Sequence, residues 1–177
     1  LGIDSNELAR RSDALKESNP MMGHRGVRLG ITHPEITEMQ ARSILEAAAE
    51  LTSEGVETHP EIMVPLTGMS TEYDHQEKII RDVASKIDNL GNYMVGTMIE
   101  IPRATIIADK IAEKAEFFSF GTNDLTQMTF GFSRDDTGGF MPSYLEQGLL
   151  PEDPFASLDE GVCELVRMGI EKGRSSR

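Results

Sequence analysis

Short apolar runs alternate along this chain with longer segments of helical periodicity, and that order leaves few folds open. The runs at residues 61–66, 93–101 and 117–120 are apolar in most positions and are flanked by Pro or Gly, which is typical of buried strands. Residues 25–31 are a weaker candidate for a further strand. Strands that are apolar on both faces form parallel sheets with helical crossovers. The sequence therefore predicts an α/β fold, either an open sheet or a closed barrel.

The segments between these runs have apolar residues at the spacing of helices. We expect helices at residues 5–17, 34–53, 71–87, from 102 onward with Ile106, Ile107 and Ile111 facing inward, and 157–172. Two capping boxes are predicted, one from Thr71 with Asp74 and one from Ser157 with Glu160. Gly91 and Gly173 are predicted to end their helices.

Charge and cysteine content exclude several classes of protein. The chain has 177 residues, with 17 Lys and Arg against 30 Asp and Glu, so its formal net charge is −13 at pH 7. Nucleic-acid and membrane-surface binding both need clustered cations, and no run approaches the ~18 apolar residues of a membrane span. One cysteine makes no internal disulfide and no signal peptide is evident, which favours a reducing, cytosolic compartment.

The length suits one domain, and both ends look cut. The first residue is Leu1 rather than Met, and the chain closes at Arg177 with no further strand for its last helix to cover. We therefore expect residues 1–177 to be a piece of a longer protein.

Polar side chains follow two neighbouring predicted strands where each strand ends. Glu100 closes an apolar run, and Asn123 and Asp124 lie just after the next one. The carboxyl ends of strands in a parallel barrel share one face, so these groups are expected to converge. Two carboxylates and an amide oxygen are ligands that Mg²⁺ accepts. The alternative is structural, with Glu100 paired to Arg103 and Asp124 capping a helix.

Cations are predicted near the same face. Gly121 and the three residues after it open a helix whose free backbone N–H groups suit an anion. Arg134 follows ten residues after Asp124, and Arg25 with Arg28 adds positive charge to an otherwise acidic chain, as binding of a phosphate or carboxylate requires. The alternative for each arginine is a surface ion pair.

The remaining chemically active side chains are interpreted as structural. Cys163 lies within the last predicted helix and is expected to be a structural thiol. The histidines are given structural or solvent roles, and the scattered methionines are expected to fill the core; the histidines are His24, His33, His59 and His75.

Several long segments resemble the phosphoenolpyruvate-utilising enzymes. Residues 117–127, FFSFGTNDLTQ, are similar to a signature of that family, and residues 96–104, GTMIEIPRA, to its companion segment. Residues 19–26 and 128–136 resemble one branch of the family more than its other branches. The resemblance runs over nearly the whole chain.

The resemblance implies a (β/α)₈ barrel that binds pyruvate and phosphoenolpyruvate, of which this chain supplies about strands three to six. Glu100 and Asp124 would ligate Mg²⁺, and Gly121, Thr122 and Asn123 would contact the substrate. Arg25 and Arg134 would hold a phosphoryl group passing between a phosphohistidine and the pyruvate enolate. The implied partners are a phosphohistidine domain of the same polypeptide and a second copy in a homodimer. The compartment is the cytoplasm, or a plastid if the source has one.

The family's acid/base cysteine and its phosphohistidine lie outside these residues, so the chain holds no catalytic residue of its own and the isolated chain is expected to be inactive. Three alternatives stay open. One is phosphoenolpyruvate synthase, one is a metal-dependent lyase or aldolase that forms a pyruvate enolate, and one is a non-catalytic module that binds a metabolite.

Overall fold

The computed structural model describes residues 4–14 and 20–176. Three strands and nine α-helices are found in that part of the chain, with single 3₁₀ turns at Pro20–Met22 and Thr137–Gly139. In chain order the elements are α1 Ser5–Ala14, α2 Val27–Thr32, α3 Pro34–Ser53, β1 Glu61–Val64, α4 Ser70–Ala84, β2 Met94–Ile99, α5 Pro102–Ile106, α6 Ala108–Ala112, β3 Phe118–Phe120, α7 Thr122–Phe130, α8 Met141–Glu146 and α9 Glu160–Ser175.

The three strands form one parallel sheet in the order β1-β2-β3. Val64 aligns with Thr97 across the first pair of strands, and Thr97 aligns with Phe118 across the second. The predicted strands at residues 61–66, 93–101 and 117–120 are therefore confirmed, as is the parallel α/β class. All three carboxyl ends lie at one edge of the sheet, because the strands run in the same direction.

Helices cover the sheet and enclose the core. Helix α3 packs on α4, and α9 packs on α5 and α6. The predicted helix at residues 34–53 is confirmed at both ends. Large fully buried apolar side chains come from most of these elements, and they include Leu45, Tyr73, Ile80, Val95, Ile99, Ile111 and Leu125.

The predicted strand at residues 25–31 is wrong, because this segment is helical as α2. Gly26 has φ +58° and turns the chain, and the backbone N–H of Val27 then donates to the carbonyl oxygen of Pro65 at 3.0 Å. That bond fixes α2 at the carboxyl end of β1. Val27 and Gly30 lie three residues apart and both are buried, so the apolar pattern has helical spacing over a short stretch.

Both predicted capping boxes involve the wrong residues. In α4 the carboxylate of Glu72, not Asp74, accepts from the backbone N–H groups of Gly68 and Met69 at 2.8 and 3.0 Å. In α9 the N-cap is Asp159, whose carboxylate accepts from the N–H groups of Gly161 and Val162. Another acidic or hydroxyl side chain lies one or two residues from each capping residue and gives the same sequence pattern. The sequence therefore did not distinguish the capping residue from its neighbours.

Three predicted helix details are also wrong. Helix α4 ends at Ala84, so Gly91 is not its cap, and α9 continues past Gly173 to Ser175. The helix that begins at Pro102 breaks at Ile107 into α5 and α6, and Ile106 is 52% exposed rather than inward. The predicted helix at residues 5–17 corresponds to α1 as far as Ala14, and residues 15–19 lie outside the described part.

No helix in residues 4–14 and 20–176 has the length and apolarity that a membrane span requires.

Candidate active site

Polar groups gather where the three strands end. Glu100 directly follows β2, Gly121 directly follows β3, and Leu66 follows β1 by two residues. The N–H of Gly121 donates to the carbonyl oxygen of Ile99 at 3.1 Å, so the two polar strand ends are held side by side. This edge contains the candidate site, which we define as Arg25, Glu100, residues 121–124 and Arg134.

Glu100 is a buried carboxylate, with 4% of its surface exposed. Its Oε1 accepts from the backbone N–H of Leu66 at 2.6 Å. Leu66 has φ +59°, a left-handed conformation that is uncommon for a leucine, and this turn directs its N–H toward Glu100. The expected alternative, a pair between Glu100 and Arg103, is not formed, because Arg103 donates to the carbonyl oxygen of Gly68.

Burial raises the pKa of Glu100 above its ordinary value of 4.5, and the negative charge of Asp124 raises it further. The N–H of Leu66 and the positive charge of Arg25 act in the opposite direction and lower the pKa. The net result is a raised pKa, and burial is its largest cause.

Asp124 is the third residue of α7 and is 7% exposed. Its Oδ2 accepts from Arg25 Nη1 at 2.9 Å, and its Oδ1 accepts from Asn123 Nδ2 at 3.1 Å. Asp124 therefore does more than cap a helix, and Arg25 is not in an ordinary surface pair. The ion pair connects the loop before α2 with the first turn of α7.

Arg134 approaches the same groups from the loop after α7. Its Nη1 donates to Asn123 Oδ1 at 2.8 Å, and its guanidinium carbon lies 5.6 Å from the centre of the Phe155 ring. The backbone N–H of Arg134 donates to Gln127 Oε1 at 2.8 Å. A continuous polar chain thus runs from Arg134 through Asn123 and Asp124 to Arg25.

Gly121 allows β3 and Glu100 to approach closely. A Cβ atom at residue 121 would lie 2.7 Å from the Cβ of Glu100 and 2.7 Å from the sulfur of Met98. Real Cβ atoms essentially never show such contacts. Residue 121 must therefore lack a side chain if Glu100 is to keep this position.

The donor set fits a magnesium ion. Glu100 and Asp124 supply two buried carboxylates. The amide of Asn123 faces Asp124 with its nitrogen, and its oxygen accepts from Arg134. No group of three or more His, Cys, Asp or Glu that could hold a metal is found in the described ranges. Mg²⁺ is commonly bound through one or two carboxylates, with waters and substrate oxygens as its other ligands, so two are sufficient. A cation here would also offset the repulsion from Asp124, which adds to the effect of burial on the pKa of Glu100.

The structure brings together Arg25, Glu100, residues 121–124 and Arg134, although Thr122 contributes no side-chain hydrogen bond in the described part. Arg28, which was predicted near the same face, instead donates to the backbone carbonyl oxygens of Met21 and Gly23. Thr122 is exposed at the start of α7, where it lines a cleft of about 220 Å³ with Arg134. Sequence reasoning missed Leu66 and Gln127. No sequence pattern indicated that Leu66 has a left-handed backbone. Gln127 is a buried polar residue that lies within the segment resembling the family, and that segment was a signal that could have found it.

Cys163 lies apart from the candidate site. It is partly buried in α9, with its sulfur 3.9 Å from the carbonyl oxygen of Leu158. This position agrees with the structural interpretation.

The chain belongs to the family of phosphoenolpyruvate-utilising enzymes. The family model described as "PEP-utilising enzyme, PEP-binding domain" matches residues 1–176. The resemblance expected from residues 96–104 and 117–127 is therefore confirmed.

Within that family the chain is similar to the pyruvate, phosphate dikinases of plants. It is 57% identical to chloroplastic pyruvate, phosphate dikinase 1 of Oryza sativa subsp. japonica, over 99% of this chain and 19% of that protein. It is 58% identical to chloroplastic pyruvate, phosphate dikinase 1 of Arabidopsis thaliana over the same shares, and 58% identical to pyruvate, phosphate dikinase 2 of Zea mays over 99% of this chain and 20% of that protein. The chain thus spans about a fifth of the length of these relatives.

Proposed function

We propose that the chain is part of the pyruvate- and phosphoenolpyruvate-binding domain of a pyruvate, phosphate dikinase. The reaction transfers a phosphoryl group between a phosphohistidine and the enolate of pyruvate, and the whole enzyme would convert ATP, pyruvate and phosphate into AMP, phosphoenolpyruvate and diphosphate. One observation carries this proposal: the buried carboxylates Glu100 and Asp124 lie close to each other and to Arg25 at the carboxyl ends of adjacent parallel strands, and Arg134 is linked to Asp124 through Asn123.

Glu100 and Asp124 are the proposed ligands of Mg²⁺. When bound, the metal would supply positive charge to the carboxylate and enolate oxygens of the substrate. Leu66 holds Glu100 through its N–H, and Asn123 holds Asp124 through its amide. These contacts fix both carboxylates before any ligand arrives, so little reorganisation is required during the reaction.

Arg25 and Arg134 are the proposed phosphoryl-binding residues. They sit at opposite ends of the polar chain through Asn123 and Asp124, so their guanidinium groups flank the Asp124 carboxylate. An arginine presents several N–H donors that match phosphate oxygens and would neutralise charge on the group in transfer. The backbone of Gly121, Thr122 and Asn123 would contact the rest of the substrate.

The proposed architecture is a (β/α)₈ barrel, of which residues 1–177 would form the central part. The parallel order of three strands with helical crossovers supports this, as does the convergence of polar residues at the carboxyl ends. The acid/base cysteine and the phosphohistidine domain would be supplied by other parts of the polypeptide, so we expect the isolated 177 residues to be inactive. The complete enzyme would be a homodimer of the cytoplasm or of a plastid.

The position of Arg134 favours phosphoryl transfer over a lyase or aldolase reaction. An enolate-forming lyase needs a metal-binding pair but has no use for a second set of cations beside it. The joint presence of Glu100, Asp124 and both arginines also argues against a binding module without catalysis.

The full-length protein containing this chain tests the proposal through its co-substrates. Formation of phosphoenolpyruvate from pyruvate and ATP should require both Mg²⁺ and inorganic phosphate, and diphosphate should be released. Activity without phosphate would instead indicate phosphoenolpyruvate synthase. Release of pyruvate from a longer carbon acid, with no nucleotide, would indicate a lyase.

A further inference from the structure

A separate pocket lies beside the candidate site, between the 3₁₀ turn Pro20–Met22 and the helices α5 and α7. Its volume is about 550 Å³, and pockets for small organic ligands typically have volumes of about 300–1,000 Å³. Two arginines line it, Arg28 and Arg103, together with apolar side chains that include Met21, Met128 and Phe132. None of the candidate-site residues is among its lining residues.

Arg28 and Arg103 are held in place by backbone carbonyl groups rather than by carboxylates. Arg28 Nη1 donates to the carbonyl oxygens of Met21 and Gly23 at 3.1 and 2.8 Å. Arg103 Nη1 donates to the carbonyl oxygen of Gly68. Within the described ranges their Nε and Nη2 atoms make no hydrogen bond, so each guanidinium keeps free N–H donors.

This arrangement is unusual for an acidic protein. The chain carries a net charge of −13, and other arginines pair with carboxylates, as Arg25, Arg42, Arg81 and Arg167 do. No carboxylate lines the pocket, and neither Arg28 nor Arg103 has an acidic partner in the part of the chain that the structure describes. Two guanidinium groups in one pocket repel each other unless an anion lies between them.

We propose that this pocket binds a small organic anion through Arg28 and Arg103. The anionic group is a phosphate or carboxylate whose oxygens accept from both guanidinium groups, since arginine matches the geometry of such groups. The pocket is larger than an inorganic phosphate and its other walls are apolar, so the ligand also carries an apolar or aromatic body that packs on Met128 and Phe132. The site is distinct from the candidate active site, and the inference therefore does not rest on the proposed function.

Titration calorimetry of the full-length protein with phenyl phosphate tests the proposal. Phenyl phosphate joins a phosphate group to an aromatic ring, while inorganic phosphate and benzyl alcohol each supply only one of these features. We expect saturable binding of phenyl phosphate without Mg²⁺, weaker binding of phosphate and none of benzyl alcohol. Arg28→Gln and Arg103→Gln should each weaken the binding about tenfold or more, because each removes charge-assisted hydrogen bonds.

Control substitutions distinguish binding in this pocket from binding at the candidate active site and from a general effect of surface charge. Arg42→Gln removes a surface arginine that pairs with Glu38, and Arg134→Gln removes one from the candidate site; neither should change the affinity. Met22 is 73% exposed and needs no repacking, so Met22→Glu should weaken binding by adding a carboxylate near the pocket. Met39→Glu adds the same charge at a site that is also exposed, and should leave binding unchanged.

Absence of saturable binding overturns the proposal, and this is the result expected if another segment of the polypeptide fills the pocket. Equal binding in wild type, Arg28→Gln and Arg103→Gln also overturns it. A loss of binding in Arg134→Gln alone would place phenyl phosphate in the candidate active site and would overturn it as well.

Discussion

Arg25 Nη1 lies 2.9 Å from Asp124 Oδ2, and this ion pair joins segments that are 99 residues apart in the sequence. It holds the loop before α2 against the start of α7, directly beside Glu100. A carboxylate with 7% exposure is therefore neutralised by an arginine that reaches it from another part of the fold. Because both partners belong to the candidate site, a change at either one should affect function more than stability.

Asp124→Asn should lower Mg²⁺-dependent turnover of the full-length protein by about a hundredfold or more, because it removes a proposed metal ligand while keeping the side-chain shape. Circular dichroism should show an unchanged fold. Asp74→Asn is the matched control, since Asp74 also forms an ion pair, at 2.7 Å with Lys114, but far from the site. Full turnover in Asp124→Asn would refute the metal assignment.

The raised pKa of Glu100 predicts a pH dependence of stability in the metal-free protein. The native state binds the proton of Glu100 more tightly than the unfolded state, whose carboxyl has its ordinary pKa of 4.5. Ionisation of Glu100 therefore reduces the free energy of unfolding as pH rises from about 4.5 through the raised pKa. Asp124 and Arg25 are the charged groups that face Glu100, and the repulsion from Asp124 adds to the effect of burial.

Urea denaturation across this pH range measures the effect. Glu100→Gln keeps an oxygen to accept from Leu66 but loses the titration, so the variant should gain stability relative to wild type as pH rises. Glu54→Gln, at an exposed position, corrects for the general effect of removing a negative charge. A difference between wild type and Glu100→Gln that stays constant with pH would contradict the prediction.

Gly121→Ala should destabilise the protein by about 1–3 kcal/mol, because the new methyl group overpacks the contact with Glu100 and Met98. The backbone of Gly121, at φ −86° and ψ 81°, lies outside the left-handed region, so the cost is steric rather than conformational. Gly138→Ala is the control, since nothing lies within 4 Å of a Cβ there. Equal free energies of unfolding in the two variants, measured by urea denaturation, would show that β3 can move away from Glu100.

Sequence reasoning succeeded where periodicity and strand order determine position. The runs containing Ile62, Val95 and Phe120 are strands because they are apolar and too short for helices, and their parallel order brings Glu100 and Asp124 together. For Arg25 and Asp124, the sequence predicts that both lie at the same face, but it does not predict that they form an ion pair. Its geometry depends on a tertiary contact, the bond from Val27 to Pro65, that no local pattern encodes.

The same limit explains the failures. Residues 25–31 hold only three apolar side chains among seven residues, so a strand and a short helix fit them equally well, and docking of α2 on the end of β1 decides the outcome. Caps were misplaced because Glu72 and Asp159 stand one or two residues from other candidates with the same chemistry. Leu66 was missed because a leucine at φ +59° is imposed by its surroundings rather than by its own preference.

Cys163→Ser should leave turnover of the full-length protein nearly unchanged. The sulfur lies in α9 and its nearest polar contact is a weak one to Leu158, at 3.9 Å. Serine preserves the size of the side chain and a hydrogen-bond donor. A loss of several decades in turnover, with the fold intact by circular dichroism, would mean that the acid/base residue of the reaction is Cys163 itself.

Gln127 is predicted to be a positioning residue for Arg134. It is 5% exposed within α7, its Oε1 accepts from the backbone N–H of Arg134, and its own carbonyl oxygen accepts from Phe132 at 3.1 Å. Gln127 thus attaches the backbone of the loop that carries Arg134 to α7. Gln127→Ala removes the side-chain bond and should allow Arg134 to leave Asn123, which weakens binding of the phosphorylated substrate.

Steady-state kinetics on the full-length protein separate this positioning role from a general loss of stability. We expect Gln127→Ala to raise KM for phosphoenolpyruvate about tenfold and to lower kcat less, because the metal ligands Glu100 and Asp124 are unaffected. Gln127→Glu retains an oxygen that accepts from Arg134 and should restore most of the affinity. Gln147→Ala, at an exposed position on the surface, is the control. A fall in kcat with unchanged KM would contradict the role, because it would place Gln127 in the chemical step and not in holding Arg134.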